Sequence, residues 1–299
     1  MPTTQAIRDP EDLSALYRSA NQQSLDAQSF FLTWLKVRLG GLVIAAIGGA
    51  IGWTLGHFQV GGVIAFLAFA VALVAELVLA LQRPDRVWYE ARAAAESAKT
   101  LSWRYMMRGA SFDANVPNVD ERFLEEIANL LHDLDVVPTA SAGDLQISKR
   151  MREVRALPFE QRRDVYLSQR IQDQQAWYGK KAASNETRAR HWVVISIVFE
   201  FLGLIGGALK AAGWVDVDLL GIFAAAAATA TAWLQAKQHQ NVATAYGVTS
   251  QELAAVASEL EALADESLWA QFVAEAEEAI SREHTLWRAS RGLRVRLRS

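Results

Sequence analysis

The stretch LGGLVIAAIGGAIGWTLGHFQVGGVIAFLAFAVALVA, Leu39 to Ala75, contains no Asp, Glu, Lys or Arg, and His57 is its one titratable side chain. A helix rises ~1.5 Å per residue and a bilayer core is ~30 Å thick, so about 20 apolar residues make one crossing. Extended to Gln82, this stretch holds two crossings, over about 39–57 and 60–82, with a turn near His57, Phe58 and Gln59. A second depleted pair follows: Trp192 to Leu209, broken only by Glu200, and Leu219 to Ala236, unbroken. These define spans over about 192–211 and 216–236. A buried helix of a soluble protein keeps a polar face, and these four segments have none. The sequence therefore predicts an all-α integral membrane protein, with four transmembrane helices in two hairpins and long cytoplasmic helical extensions.

Composition agrees, because 52% of the 299 residues are hydrophobic while 21% are still charged, which requires the apolar residues to be segregated. About 38 mostly polar residues precede the first span, where a cleaved signal peptide would carry its apolar run, so no cleavage is expected. The absence of cysteine excludes disulfides, thiol nucleophiles and zinc-thiolate sites. A net charge of −3 speaks against a nucleic-acid partner, which needs a concentrated basic surface.

The link between the first two spans has no Lys or Arg, and the link between the last two has only Lys210. The other 29 basic residues lie on the opposite side, with Lys36, Arg38, Arg83, Arg86, Arg188, Arg190 and Lys237 close to the spans. The positive-inside rule then places both termini and the central segment in the cytoplasm. Trp34, Trp88, Trp192 and Trp233 fall near that cytoplasmic boundary, where indole is favoured.

Arg83 to His191 is too long and too patterned for a linker. The run RVWYEARAAAESAKTLSWRYMMRG reads as helix after Pro84, with Gly109 as its stop. A shorter amphipathic helix covers Asp120 to His132, and PTASAGD, Pro138 to Asp144, is a break. Helix resumes near Gln146 and is interrupted at Pro158, so the boundary between an N-terminal module, 1–156, and a C-terminal module, 157–299, falls there. After the fourth span Leu253, Val256, Leu260 and Leu263 form a coiled-coil-like stripe, which Trp269, Phe272, Val273, Ala276 and Ile280 extend. Essentially no sheet is predicted.

Gly48, Gly52 and Gly56 are four apart in the first span, and Gly203 and Gly207 repeat the spacing in the third. Such stripes let helix backbones approach closely, either within one bundle or between chains of a homo-oligomer. Glu76 and Glu200 are the carboxylates well inside the spans. Intramembrane carboxylates face protein or water, so these two either sit near the cytoplasmic edge, protonated, hydrated or paired with a nearby Arg, or line a cation-favouring pore. No phosphate loop, HExxH or GxSxG motif is present. His57, His132, His191, His239 and His284 are scattered, so no catalytic residue, metal site or cofactor is expected.

Several stretches resemble the SLATT family, bacterial two-transmembrane domains associated with SMODS nucleotidyltransferases and SLOG ligand sensors. LYRSANQQSLDAQ before the first span and VWYEARAAAESAKTLSWRYMMRG after the second resemble one subtype. RIQDQQAWYGKKA before the third span and EAEEAISREHTLWRASR near the end resemble another, so two subtypes lie in tandem over about residues 10–292. The positions that match are Trp88, Tyr89, Glu96, Lys99, Trp103 and Arg104 in the first half. In the second they are Gln174, Trp177, Tyr178, Glu283, His284, Trp287 and Arg291. They read as packing residues of a cytoplasmic helical bundle or as a trigger surface. The resemblance implies a membrane effector of antiviral conflict systems, forming pores or otherwise disrupting the bilayer when a sensor protein or a nucleotidyltransferase-derived messenger signals infection. The alternative is a membrane-anchored scaffold or sensor that recruits a cytoplasmic partner and conducts nothing.

Overall fold

The structure, a computed structural model, describes residues 6–7, 10–52, 54–55, 57–135, 137–263 and 265–290, with backbone alone over 282–290. The elements in order are α1 (Ala15–Ala50), β1 (Thr54–Leu55), β2 (Phe58–Gln59), α2 (Val60–Gln82), α3 (Pro84–Met107), α4 (Val119–His132) and α5 (Lys149–Arg155). They continue with α6 (Phe159–Tyr166), a π-helical turn (Leu167–Gln172), α7 (Asp173–Ala211), α8 (Leu219–Lys237), α9 (His239–Ala262) and α10 (Glu266–Ser290). The protein is all-α, and four of its helices are long and apolar enough to cross a membrane.

Local chemistry explains the breaks. Arg83 adopts a left-handed conformation (φ 44°) and returns its N–H to Leu79, and Pro84 then opens α3, a position where its missing N–H costs nothing. Ser148 caps α5 by accepting from the Met151 N–H at 3.0 Å, and Asp218 caps α8 through the Gly221 N–H at 3.3 Å. Two features depart from expectation. Helix α1 stops at Ala50 rather than near residue 57, and the chain turns through a two-residue antiparallel pair, Thr54 with Gln59 and Leu55 with Phe58. The link residues pair their own backbone there instead of prolonging the span.

The chain forms two units, each drawing on both sequence modules. The polar unit takes residues 1–27, 85–180 and 245–299, and the membrane unit takes 28–84 and 181–244. Three of the four unit boundaries fall inside α1, α7 and α9, which remain helical through them, and the fourth falls just after Pro84, the first residue of α3.

In the polar unit the core is shared among Leu13, Leu16, Trp103, Met106, Phe123, Met151, Tyr166, Trp269 and Val273, all at most 3% exposed. The Leu253 and Leu260 stripe of α9 turns into this core, with Val256 and Leu263 packed against it.

In the membrane unit the helices meet through small residues. A Cβ on Gly41 would lie 3.0 Å from the Ala68 carbonyl, and one on Gly48 would lie 2.8 Å from the Ala65 amide, so α1 and α2 touch backbone to backbone. Helices α7 and α8 meet where Gly203 and Gly207 face Leu220, and the Ser196 and Thr231 hydroxyls share a hydrogen bond of 3.1 Å. Large apolar side chains point outward instead: Phe66 is 71% exposed, Phe201 62% and Leu204 69%, which suits hydrocarbon as solvent.

Candidate functional site

The polar unit encloses a charge network that joins the two sequence modules. The π-helical turn after Tyr166 carries Arg170 into the core, and Arg170 meets Glu277 of α10 twice, Nε to Oε1 at 2.9 Å and Nη2 to Oε2 at 2.6 Å. Arg170 is 1% exposed and Glu277 fully buried. The Tyr166 hydroxyl donates to the same Glu277 Oε1 at 3.1 Å, and the Arg170 guanidinium lies 5.7 Å from the Trp103 ring centre of α3. Trp269 closes the cluster, 5.8 Å from the Tyr166 ring and bonded through Nε1 to the Met107 carbonyl. Nearby, Arg162 donates to Glu266 at 3.0 Å and to the Leu157 carbonyl at 2.8 Å.

Burial opposes the Arg170 charge, but the charge and hydrogen bonds of Glu277 outweigh it and hold the guanidinium above its ordinary pKa. Burial and then the Glu277 charge push the Tyr166 phenol well above its ordinary value. Buried pairs of this kind gain little net stability over apolar packing, yet losing one partner strands the other, so the network is rigid and brittle. Arg170 Nη1 and Trp103 Nε1 find no hydrogen-bond partner among the described residues.

Of the motif positions, Trp103 belongs to this cluster. Glu96 and Lys99 are buried one to two turns earlier on α3, with Arg92 on Glu96 at 2.5 Å and the Lys99 ammonium 5.5 Å from the Tyr17 ring centre. Trp177 and Tyr178 form an aromatic group with Tyr246 of α9, at ring separations of 5.5 and 5.2 Å, and Gln174 is half-buried one turn before them. Trp88 and Tyr89 stack on each other at 4.8 Å at the start of α3. Arg104 donates to the Ala110 carbonyl at 2.7 Å and ties down the loop after α3. Glu283, His284 and Trp287 fall on α10 with side chains outside the described residues, and Arg291 and Gly56 lie outside them altogether.

The sequence reading missed Tyr166, Arg170 and Glu277. One signal was available: Glu277 lies four residues after Val273 and three before Ile280, a carboxylate in the middle of an apolar helical stripe.

In the membrane unit Glu76 forms an ion pair with Arg38 of α1. Glu200 is exposed on the face of α7 that also presents Ile197, Phe201 and Leu204, and it makes no ion pair among the described residues. Gly48 is packed tightly, whereas Gly52 lies past the end of α1, where an added Cβ would meet nothing within 4 Å, so the three-glycine spacing does not continue along one helix. Among the described residues no group of three or more His, Asp or Glu side chains is placed to hold a metal ion.

Family models match both modules. The SMODS and SLOG-associating 2TM effector domain 3 matches residues 14–163, and effector domain 1 of the same name matches residues 166–287. No curated protein and no solved structure matches the chain. SLATT domains are effector domains associated with conflict systems. With both matches laid end to end over its four apolar helices, the chain belongs to the SLATT family as a tandem of a type 3 and a type 1 domain.

Proposed function

We propose that the protein is a latent membrane effector of a bacterial conflict system, one that oligomerises in the inner membrane and opens a cation-favouring pore when triggered from the cytoplasm. The observation that carries this reading is Glu200. It stands alone among Ile197, Phe201 and Leu204 on an outward face of a spanning helix. A carboxylate facing hydrocarbon costs roughly 2.5–3.5 kcal/mol at the bilayer centre, and a second copy of the chain or a water-filled lumen would relieve that cost. Glu76, held by Arg38, is already neutralised inside the chain and takes a structural part.

In this reading both termini are cytoplasmic, the polar unit receives the signal from a sensor or a nucleotidyltransferase-derived messenger, and no residue catalyses a reaction. Helices α1, α7 and α9 pass into the membrane unit unbroken and provide the mechanical connection. The Arg170 and Glu277 pair of the second module, joined to the first through the Arg170 contact with the Trp103 ring and the Trp269 bond to the Met107 carbonyl, is the restraint on that connection.

The test is induced expression with a membrane-potential dye, in cells that also carry the triggering system. The expected outcome is depolarisation by the native chain and its loss in Glu200→Leu at equal membrane insertion. Full potential at high levels of native protein would overturn the pore and favour a scaffold that recruits a partner.

A further inference from the structure

An open groove of about 680 Å³ runs along the membrane unit between α1, α2 and α8. Its walls are almost wholly apolar, formed by residues such as Leu42, Ala46, Phe69, Ala228 and Ala232, and Arg38 stands at one end. The alanines leave room where larger side chains would fill the space, and the shape is a slot rather than a packed seam.

Cations gather at that same end. Trp233, next in sequence to the groove residue Ala232, has the Lys36 ammonium 5.8 Å and the Lys237 ammonium 6.0 Å from its ring centre. Trp192 lies 6.0 Å from Trp233, and the charges of Arg188 and Lys36 bear on the Lys237 ammonium. Arg38 already has Glu76, but Lys36, Arg188 and Lys237 have no carboxylate partner among the described residues. Three like charges held together without an anion favour one that is brought from outside.

A slot of hydrocarbon character with uncompensated positive charge at its cytoplasmic mouth has the polarity profile of one molecule, a phospholipid with an anionic headgroup. We infer that this groove is a binding site for an anionic phospholipid, an acyl chain lying along Leu42, Ala46 and Ala228 and the phosphate among Lys36, Arg188 and Lys237. The site is independent of whether the protein conducts ions.

The experiment uses the full chain, purified in a neutral detergent, and measures binding of palmitoyl-oleoyl phosphatidylglycerol against phosphatidylcholine by native mass spectrometry. The expected result is preferential retention of phosphatidylglycerol. A basic side chain at an anionic surface contributes about a factor of five in affinity, so Lys36→Gln with Lys237→Gln should weaken binding about thirtyfold. Lys36→Arg with Lys237→Arg should keep it. Ala228→Phe, which fills the slot without changing charge, should also abolish the preference. Equal retention of the two lipids, or phosphatidylglycerol binding that survives Ala228→Phe, would overturn the site, since the second result reduces it to surface attraction. Should Ala228→Phe not fold, competition on the native chain decides. Soluble glycerophosphoglycerol, which lacks acyl chains, should fail to displace the lipid at a hundredfold excess, and displacement would show that only an anion is recognised.

Discussion

Both oxygens of Glu277 are committed, one shared by Arg170 and Tyr166 and the other to Arg170 alone. Glu277→Ala leaves a buried guanidinium without its directly bonded counter-charge, and the expected loss is ~3–5 kcal/mol of stability. The double variant Arg170→Met with Glu277→Leu removes both charges and should recover most of that loss. Denaturant unfolding of detergent-purified protein, followed by tryptophan fluorescence, measures both. A second expectation concerns alkaline pH. Burial and then the hydrogen bond to Asp120 raise the Tyr105 phenol, as burial and Glu277 raise Tyr166. An unfolded tyrosine loses its proton near pH ~10, so above that pH the folded chain holds more protons than the unfolded one. These two phenols therefore favour the folded state below about pH 10, and stability falls as pH rises further. Their phenolate absorbance should appear only as the helices melt, and titration in step with the exposed tyrosines would contradict it. Arg170 sat within a recognisable sequence stretch, yet its partner lies 107 residues away, and no local pattern specifies a pairing made by tertiary packing.

At the scale of elements, the spans were legible because hydrocarbon tolerates few charges, and charge depletion is visible residue by residue. Where a helix ends is decided by a finer balance. The spacing of Gly48, Gly52 and Gly56 suggested one stripe, but α1 gives way at Ala50 and Thr54 pairs across to Gln59, which takes Gly52 out of the interface. The contrast can be tested on adjacent glycines. A Cβ on Gly48 would press on the Ala65 amide and the Gly61 carbonyl at 2.8 Å, and both are backbone atoms that cannot step aside. Gly49 has nothing within 4 Å. Gly48→Ala should cost ~1–3 kcal/mol by overpacking, whereas Gly49→Ala should be neutral or stabilise the helix by up to ~1 kcal/mol. Thermal unfolding in detergent ranks the two, and equal effects would show that the hairpin can give way at this point. The π-helical turn was not legible at all, since its extra residue leaves no mark in the periodicity over so short a run.

For the whole molecule, the family boundary near residue 164 and the physical boundaries differ. The sequence modules follow one another, while the polar unit interleaves them: Trp103 and Met107 come from the first module, and Tyr166, Arg170, Trp269 and Glu277 from the second. Expressed alone, residues 1–156 or 157–299 should fail to build the polar unit and should be degraded or aggregate. Co-expressed, they should copurify, and two halves each folded and inert toward the other would contradict the interleaving. The π-helical turn at Leu167–Gln172 lies on the unbroken helical path that ends as the third span. Such a turn stores a surplus residue within its coil. Winding it back to ordinary helical pitch would swing every side chain beyond it by about 100° around the axis and draw the rod along by ~1.5 Å. Arg170 sits on that surplus turn, held by both oxygens of Glu277.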